Sequence, residues 1–212
     1  DYGQCLGNAL YGYHTVLKNE HRKELPSAYL GLEYDDDAIK SACEHYLSEI
    51  TFRHADEISE FVASALQDGK IGGHYHGRSE FGPRALGNRS ILADPRNPDT
   101  KSYVNKSVKF REKYRPFAPT VLRDAHSDFF ADDWAPPCRY MLLAHQVDDE
   151  RQDQIPATVH VNDTARLQTV STADNPRFHA IIKAFAKRTG IPVVLNTSFN
   201  LAGQPIVETP ED

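Results

Sequence analysis

The stretch "NPRFHAIIKAFAKRTGIPVVLNTSFN", residues 175–200, constrains the fold more than any other part of the chain. Asn175 can cap a helix whose first turn opens with Pro176, and Phe178, Ile181, Ile182 and Phe185 recur at helical spacing before Gly190 supplies the stop. A short run rich in β-branched residues, "IPVVL", follows at once and ends in the polar loop "NTSFN". A capped helix feeding a buried strand is a building unit of α/β folds, and such folds commonly hold ligands in the loops beyond their strand ends.

Other elements fit the same class. In "LGNALYGYHTVL", Leu6, Leu10, Tyr13 and Leu17 share one helical face, and "DDDAIKSACEHYL" repeats the pattern after the acidic start Asp35 to Asp37. Between them lies a charged connector interrupted by Pro26, which predicts a boundary between residues 27 and 28. Ile58, Phe61, Val62, Ala65 and Leu66 form a further helix stripe closed by Gly69, with a strand expected over residues 71–75. The segments "APTVL", "YMLLAHQV", "ATVHV" and "RLQTV", each bounded by Pro, Asp or Asn, read as strands.

Charge is unevenly distributed. The chain of 212 residues has a formal net charge of -6, yet residues 78–123 hold seven Arg and four Lys against Glu80, Asp94, Asp99 and Glu112, a local excess of +7 that leaves -13 elsewhere. Net acidity argues against a protein that coats nucleic acid, which needs a broad basic face. A basic pocket in an acidic shell suits a small, multiply charged anion. The three cysteines, Cys5, Cys43 and Cys138, are odd in number and without paired spacing, as expected of reduced thiols in a cytosolic protein. No apolar run approaches the roughly 20 residues of a membrane span, and the opening residues lack the pattern of a secretion signal, so the expectation is a soluble, cytoplasmic chain with no membrane partner.

The basic excess is concentrated in two motifs. In "GRSEFGPRALGNRS" the glycines permit close backbone approach, and Arg78, Arg84 and Arg89 can offer planar forks to phosphate or carboxylate oxygens, with Glu80 able to orient one of them. The alternative is a surface loop with structural ion pairs. The glycine spacing is not that of a P-loop, since no Gly-Lys-Ser/Thr ending follows. In "KFREKYRPFAPTV", Lys113 and Arg115 would share one face of an extended segment and form a phosphate clamp; Lys109 and Arg111 have the same spacing, and a solvated helix end is the bland reading.

Further downstream, Asn196, Thr197, Ser198 and Asn200 offer neutral donors and acceptors suited to phosphate, ribose or a carbamoyl amide, or simply hold a turn. His160, Arg166 and Gln168 surround an expected hairpin turn at Asn162 and Asp163, as site residues or as hairpin structure. His74 and His76 alternate onto one strand face, more in keeping with hydrogen-bonded structure than with a metal site.

Taken in order, "GRSEFGPRALGNRSILADPR", "KYRPFAPTV", "HVNDTARLQTV", "NPRFHAIIKAFAKRTGIPVVLNTSFN" and "GQPIVETPED" resemble the C-terminal region of the NodU/CmcH carbamoyltransferase family. The resemblance implies a two-part enzyme, with an actin-like domain that transfers a carbamoyl group and a YrdC-like α/β domain, a twisted mixed sheet with flanking helices, that makes carbamoyl adenylate from ATP and carbamoyl phosphate. Residues 1–27 would be the end of the former, and residues 28–212 the latter, short of its own end. Lys113-Tyr114-Arg115 and Ser198-Phe199-Asn200 look like the K-x-R and S-x-N elements of YrdC-like proteins, which implies nucleotide or adenylate binding at Lys113, Arg115, Ser198 and Asn200. Arg78, Arg84, Arg89 and Arg166 would hold carbamoyl phosphate, with Arg84, Arg89, Lys113 and Arg115 carrying catalysis. Mg²⁺ would accompany ATP, a hydroxyl-bearing small molecule would be the acceptor, and Asp1 would be an orphan ligand for the iron or other divalent metal of the transfer domain. Two other readings stay open: an RNA-binding YrdC-like module and a non-catalytic interaction fragment.

Overall fold

The computed structural model describes residues 3–22, 27–131 and 138–212. The helix that dominates the sequence is α6, Pro176–Thr189. Asn175 Oδ1 accepts from the Phe178 N–H at 3.0 Å, and Gly190 ends the helix with φ 77°. Phe178, Ile181, Ile182 and Phe185 are fully buried with Ala63 and Leu66 of α3 (Ile58–Gln67), forming the main core. Arg188 fastens the two helices at the surface through Gln67 Oε1 and Ser64 Oγ, at 2.9 and 3.0 Å.

Both helices lie on one face of a five-stranded mixed sheet. Its strands are β1 (Gly72–Tyr75), β2 (Arg89–Ala93), β3 (Ala118–Leu122), β6 (Gln168–Val170) and β7 (Val193–Ser198), in the order β1-β2-β7-β3-β6. All neighbours are antiparallel except β3 and β6. A two-stranded ribbon of β4 (His145–Gln146) and β5 (Thr164–Ala165) stands apart. Alternation along β7 sends Val194 to the α3/α6 core, while Val193 and Leu195 join separate clusters with Val121, Ile155 and Leu167 and with Val104 and Phe117. This is the mixed sheet with flanking helices that the sequence implies.

Several elements differ from expectation. β2 is fully buried between β1 and β7, although its apolar run, Ile91 to Ala93, is too short to stand out beside the arginine-rich loop. α4 (Asp99–Ser107) buries only Val104 and Asn105, so it carries almost no amphipathic signal. "YMLLAHQV" contributes only β4, with Leu142 and Leu143 exposed, and "ATVHV" holds the short 3-10 turn Pro156–Thr158 instead of a strand. The turn expected at Asn162 and Asp163 is present, with the His160 N–H donating to the Thr164 carbonyl at 2.8 Å and the Asp163 N–H to the His160 carbonyl at 3.1 Å, but "ATVHV" and "RLQTV" do not pair: β5 pairs with β4, and β6 in parallel with β3. The first helix is split into α1 (Gln4–Tyr11) and a π-helical turn, Gly12–Val16, neither with a buried residue. α2, Asp36–His45, is capped by Asp35 as its acidic start predicts.

The connector residues 23–26 lie outside the described residues, as does Asp1. Just beyond the expected 27/28 boundary, Ala28 and Tyr29 pack against Leu86, Ala118 and Met141, and Tyr29 Oη donates to the Leu86 carbonyl at 2.9 Å. Burial pushes the Tyr29 phenol well above its ordinary range, so it acts as a permanent donor. The described residues include no helix long and apolar enough to cross a membrane.

Candidate active site

The arginine-rich loop leads into β2 and is held by a single carboxylate. Glu80 Oε1 accepts from the backbone N–H groups of Leu86, Asn88 and Arg89, at 2.6, 2.8 and 3.2 Å. Glu80 therefore orients the loop backbone and not an arginine side chain. Gly87 lets that loop run over the core: its φ is +119°, and a Cβ there would meet the Phe178 ring at 2.3 Å. His74 Nδ1 donates to the Gly87 carbonyl at 2.6 Å, and burial lowers the imidazole to about 4, leaving it neutral.

The four loop and strand arginines of the sequence reading separate in space. Arg89 is fully buried, with its guanidinium 3.7 Å above the Tyr75 ring. Its Nη1 donates to the carbonyls of His76, Gly77 and Asn88 at 2.9, 3.0 and 3.1 Å, so it braces the start of the loop. The Arg78 side chain is exposed, and its carbonyl accepts from Asn88 Nδ2 at 2.7 Å. Arg84 and Arg166 instead meet across one narrow cavity of about 80 Å³.

Arg111 also lines this cavity, held by its Nε donating to Asn105 Oδ1 at 2.7 Å and by stacking over Phe117 at 4.8 Å. The remaining wall includes Pro116, Met141, Asn196, Thr197 and Ser198, and none of the described residues lining it carries a carboxylate. Within this small space the charge of Arg166 opposes that of Arg84. Desolvation, then the charge of Arg166, lowers Arg84 to about 10; burial lowers Arg166; burial, then Arg115, lowers Arg111. All three stay charged at neutral pH, and an anion entering the cavity would relieve the repulsion.

Ser198 and Asn200 close the end of β7, and the lysine that reaches them is Lys109. Its Nζ donates to the Ser198 carbonyl, to Ser198 Oγ at 3.1 Å, and to the carbonyl and Oδ1 of Asn200 at 3.1 and 2.8 Å. Ser198 Oγ in turn donates to Asn200 Oδ1 at 2.6 Å. Lys113 is exposed, and Arg115 is 53% exposed with Glu112 3.9 Å away. Asn105 Nδ2 gathers their carbonyls, at 3.3 and 2.9 Å. Of the two lysine-arginine pairs with equal spacing, the structure brings Lys109 and Arg111 to the serine and asparagine. The distinguishing property is burial: Lys109 is 5% exposed.

A second cavity, of about 480 Å³, adjoins the first, sharing Pro83 and Ser198. Its walls include Ser79, Asn200, Gln204 and Glu208. Glu208 Oε1 accepts from Ser79 Oγ at 3.0 Å, and Tyr75 Oη donates to the Glu208 carbonyl at 2.8 Å, which folds the last described segment against the loop. That wall joins residues far apart in sequence. Gln168, expected near a hairpin, is buried beneath the first cavity. The described residues hold no cluster of three or more His, Cys, Asp or Glu side chains suited to a metal ion, and Asp1 is outside them.

Fold and site define an α/β domain with a small cavity lined by three guanidiniums at the end of its central strand. The chain belongs to the carbamoyltransferase family: residues 63–212 match the model described as Carbamoyltransferase C-terminus. It is 40% identical to nodulation protein NolO of Bradyrhizobium diazoefficiens over 214 residues, covering 100% of this chain and 39% of the relative. It is 41% identical to NolNO of Sinorhizobium fredii, again over 100% of this chain and 32% of that protein. With nodulation protein U of Rhizobium tropici the identity is 48% over 60% of this chain and 22% of the relative. The chain thus spans about two fifths or less of the length of these curated relatives. Among solved structures, HypF of T. kodakarensis shares the fold with a TM-score of 0.52 at 16% identity, over 76% of this chain and 19% of that one.

Proposed function

We propose that this chain performs the activating half of a carbamoyl transfer, making carbamoyl adenylate from ATP and carbamoyl phosphate for a hydroxyl-bearing acceptor. The observation that carries the proposal is the carboxylate-free cavity lined by Arg84, Arg111 and Arg166 and meeting Ser198. Carbamoyl phosphate and water give carbamate and inorganic phosphate. A carbamate oxygen then bonds to the α-phosphorus of ATP as the bond from that phosphorus to the β-bridging oxygen breaks, and the electron pair leaves with pyrophosphate. Such displacements need alignment and charge stabilisation more than a protein nucleophile. The arginines supply the charge, and Lys109 keeps the Ser198–Asn200 turn in place. A pocket this small, in a net acidic chain, suits a small anion better than a nucleic-acid backbone.

The test is pyrophosphate release from ATP, with Mg²⁺ in the buffer, by a sample shown to be folded by thermal unfolding. Release that depends on carbamoyl phosphate is the expected result. Equal release in its absence would overturn the proposal.

A pH dependence follows from Lys109. Burial, then the neighbouring Arg111 charge, lowers the ammonium to about 8, so it is protonated at pH 7 and loses its proton above pH 8. An anion beside Ser198 favours the charged form. ATP affinity is expected to fall by up to about tenfold as pH rises from 7 to 9, because the protonated fraction of this one ammonium falls about tenfold over that range. In Lys109→Met the decline should vanish; a titration in which the two proteins respond alike to pH rules out this role.

A further inference from the structure

We propose that Asn196 is the residue that selects a carbamoyl ligand, its Oδ1 accepting an N–H from the ligand's amino group while the arginines hold the ligand's negative charge. This rests on the anion-site reading above and adds to it what the pocket recognises besides charge. Asn196 lines the arginine cavity and is 1% exposed. Its Nδ2 donates to the Ala85 carbonyl at 3.2 Å, to Thr120 Oγ1 at 3.1 Å and to Gln168 Oε1 at 3.2 Å. Its Oδ1 is buried and has no hydrogen-bond partner. A buried acceptor without a donor is costly, and a site that keeps one is suited to a ligand that brings the donor.

The amide cannot escape by turning over. Thr120 Oγ1 already donates to Gln168 Oε1 at 3.0 Å, and Gln168 Nε2 is committed to the Leu86 carbonyl at 2.8 Å. A flipped Asn196 would set its oxygen against the Ala85 carbonyl and Gln168 Oε1, neither of which has a hydrogen to give. The register of the sheet builds this lock: Thr120 pairs with Gln168 across β3 and β6, and Asn196, paired with Ala118, lies two residues along from the Val194 that faces Thr120.

The ligand chemistry follows from the mixture of groups. The three guanidiniums lining the cavity suit an anionic ligand, yet fully ionised phosphate and simple carboxylates present only acceptors to Oδ1 and would be repelled by it. Carbamate and carbamoyl phosphate combine an anionic oxygen set with a neutral amino group, two bonds away in carbamate and four in carbamoyl phosphate. Acetyl phosphate has the same charge and nearly the same size but a methyl group at that position. A site built to bond an N–H discriminates strongly against the analogue lacking it.

The test is calorimetric binding of carbamoyl phosphate, acetyl phosphate and pyrophosphate to the wild-type chain and to Asn196→Ala. Carbamoyl phosphate is expected to bind the wild type at least about tenfold more tightly than acetyl phosphate. In Asn196→Ala that ratio should fall to about one, through weaker carbamoyl phosphate binding, with acetyl phosphate kept within about twofold. If the alanine variant shows no cooperative melting transition, Asn196→Ser, which keeps a short polar group in the network, replaces it with the same expectation. Equal affinities in the wild type, or an undiminished ratio in a folded variant, would overturn the assignment while leaving the anion site standing. Failure of pyrophosphate and both acyl phosphates to bind the wild type overturns the anion site itself.

Discussion

Replacing Arg84 with alanine is expected to slow carbamoyl-phosphate-dependent pyrophosphate release by about 10² to 10³, the usual cost of removing one preorganised charge-stabilising group. Arg111→Ala should act similarly, because both guanidiniums line the cavity that Ser198 closes. Lys113→Ala, at an exposed position, should stay within about threefold, as solvated cations contribute little to a binding site. Stability should move the other way at Arg84. Burial and the like charge of Arg166 already lower its guanidinium to about 10, so its removal relieves a strain in the unliganded pocket. An unchanged or higher melting temperature with a collapsed rate is the expected pair of results. A near-wild-type rate in Arg84→Ala, or a rate lost equally in Lys113→Ala, would place the chemistry elsewhere.

Arg89→Ala should reverse that pattern and act on folding. Truncation takes the guanidinium donor from the carbonyls of His76 and Gly77, leaves that of Asn88 only the His76 N–H, and uncovers the Tyr75 ring, in a fully buried position. The expected loss is on the order of 3 to 5 kcal/mol, read from urea unfolding. Arg89→Lys should recover only part of this, since an ammonium cannot reproduce the planar stack on Tyr75. A variant as stable as the wild type that has lost ATP binding would restore the ligand-binding role the sequence suggests for Arg89.

The two arginines come from one motif and look alike in sequence. What separates them is that Arg89 is the first residue of a strand buried between two others, whereas Arg84 sits five residues earlier in the loop that Glu80 gathers. The same contrast divides Lys109 from Lys113, which share a spacing to the next arginine but differ in burial. Local chemistry cannot rank such pairs, because burial depends on neighbours remote in the chain.

By itself the sequence determined whatever depends on contacts within a few residues: α6 with its Asn175 cap and Gly190 stop, α3, β7 running into a polar turn, and a basic excess pointing to a small anion. Caps, helical periodicity and glycine stops are local devices, so they are legible without a fold. Only the tertiary structure decided that β2 is a central strand, that Arg84, Arg111 and Arg166 converge, and that Thr120, Gln168 and Asn196 lock into one network. Those facts rest on strand order and register, which join residues up to 111 positions apart, as Asn196 and Ala85 are. A one-residue slip of β3, β6 or β7 would turn Thr120, Gln168 or Asn196 to the opposite face, and which strands lie side by side is decided by packing among residues remote in the chain.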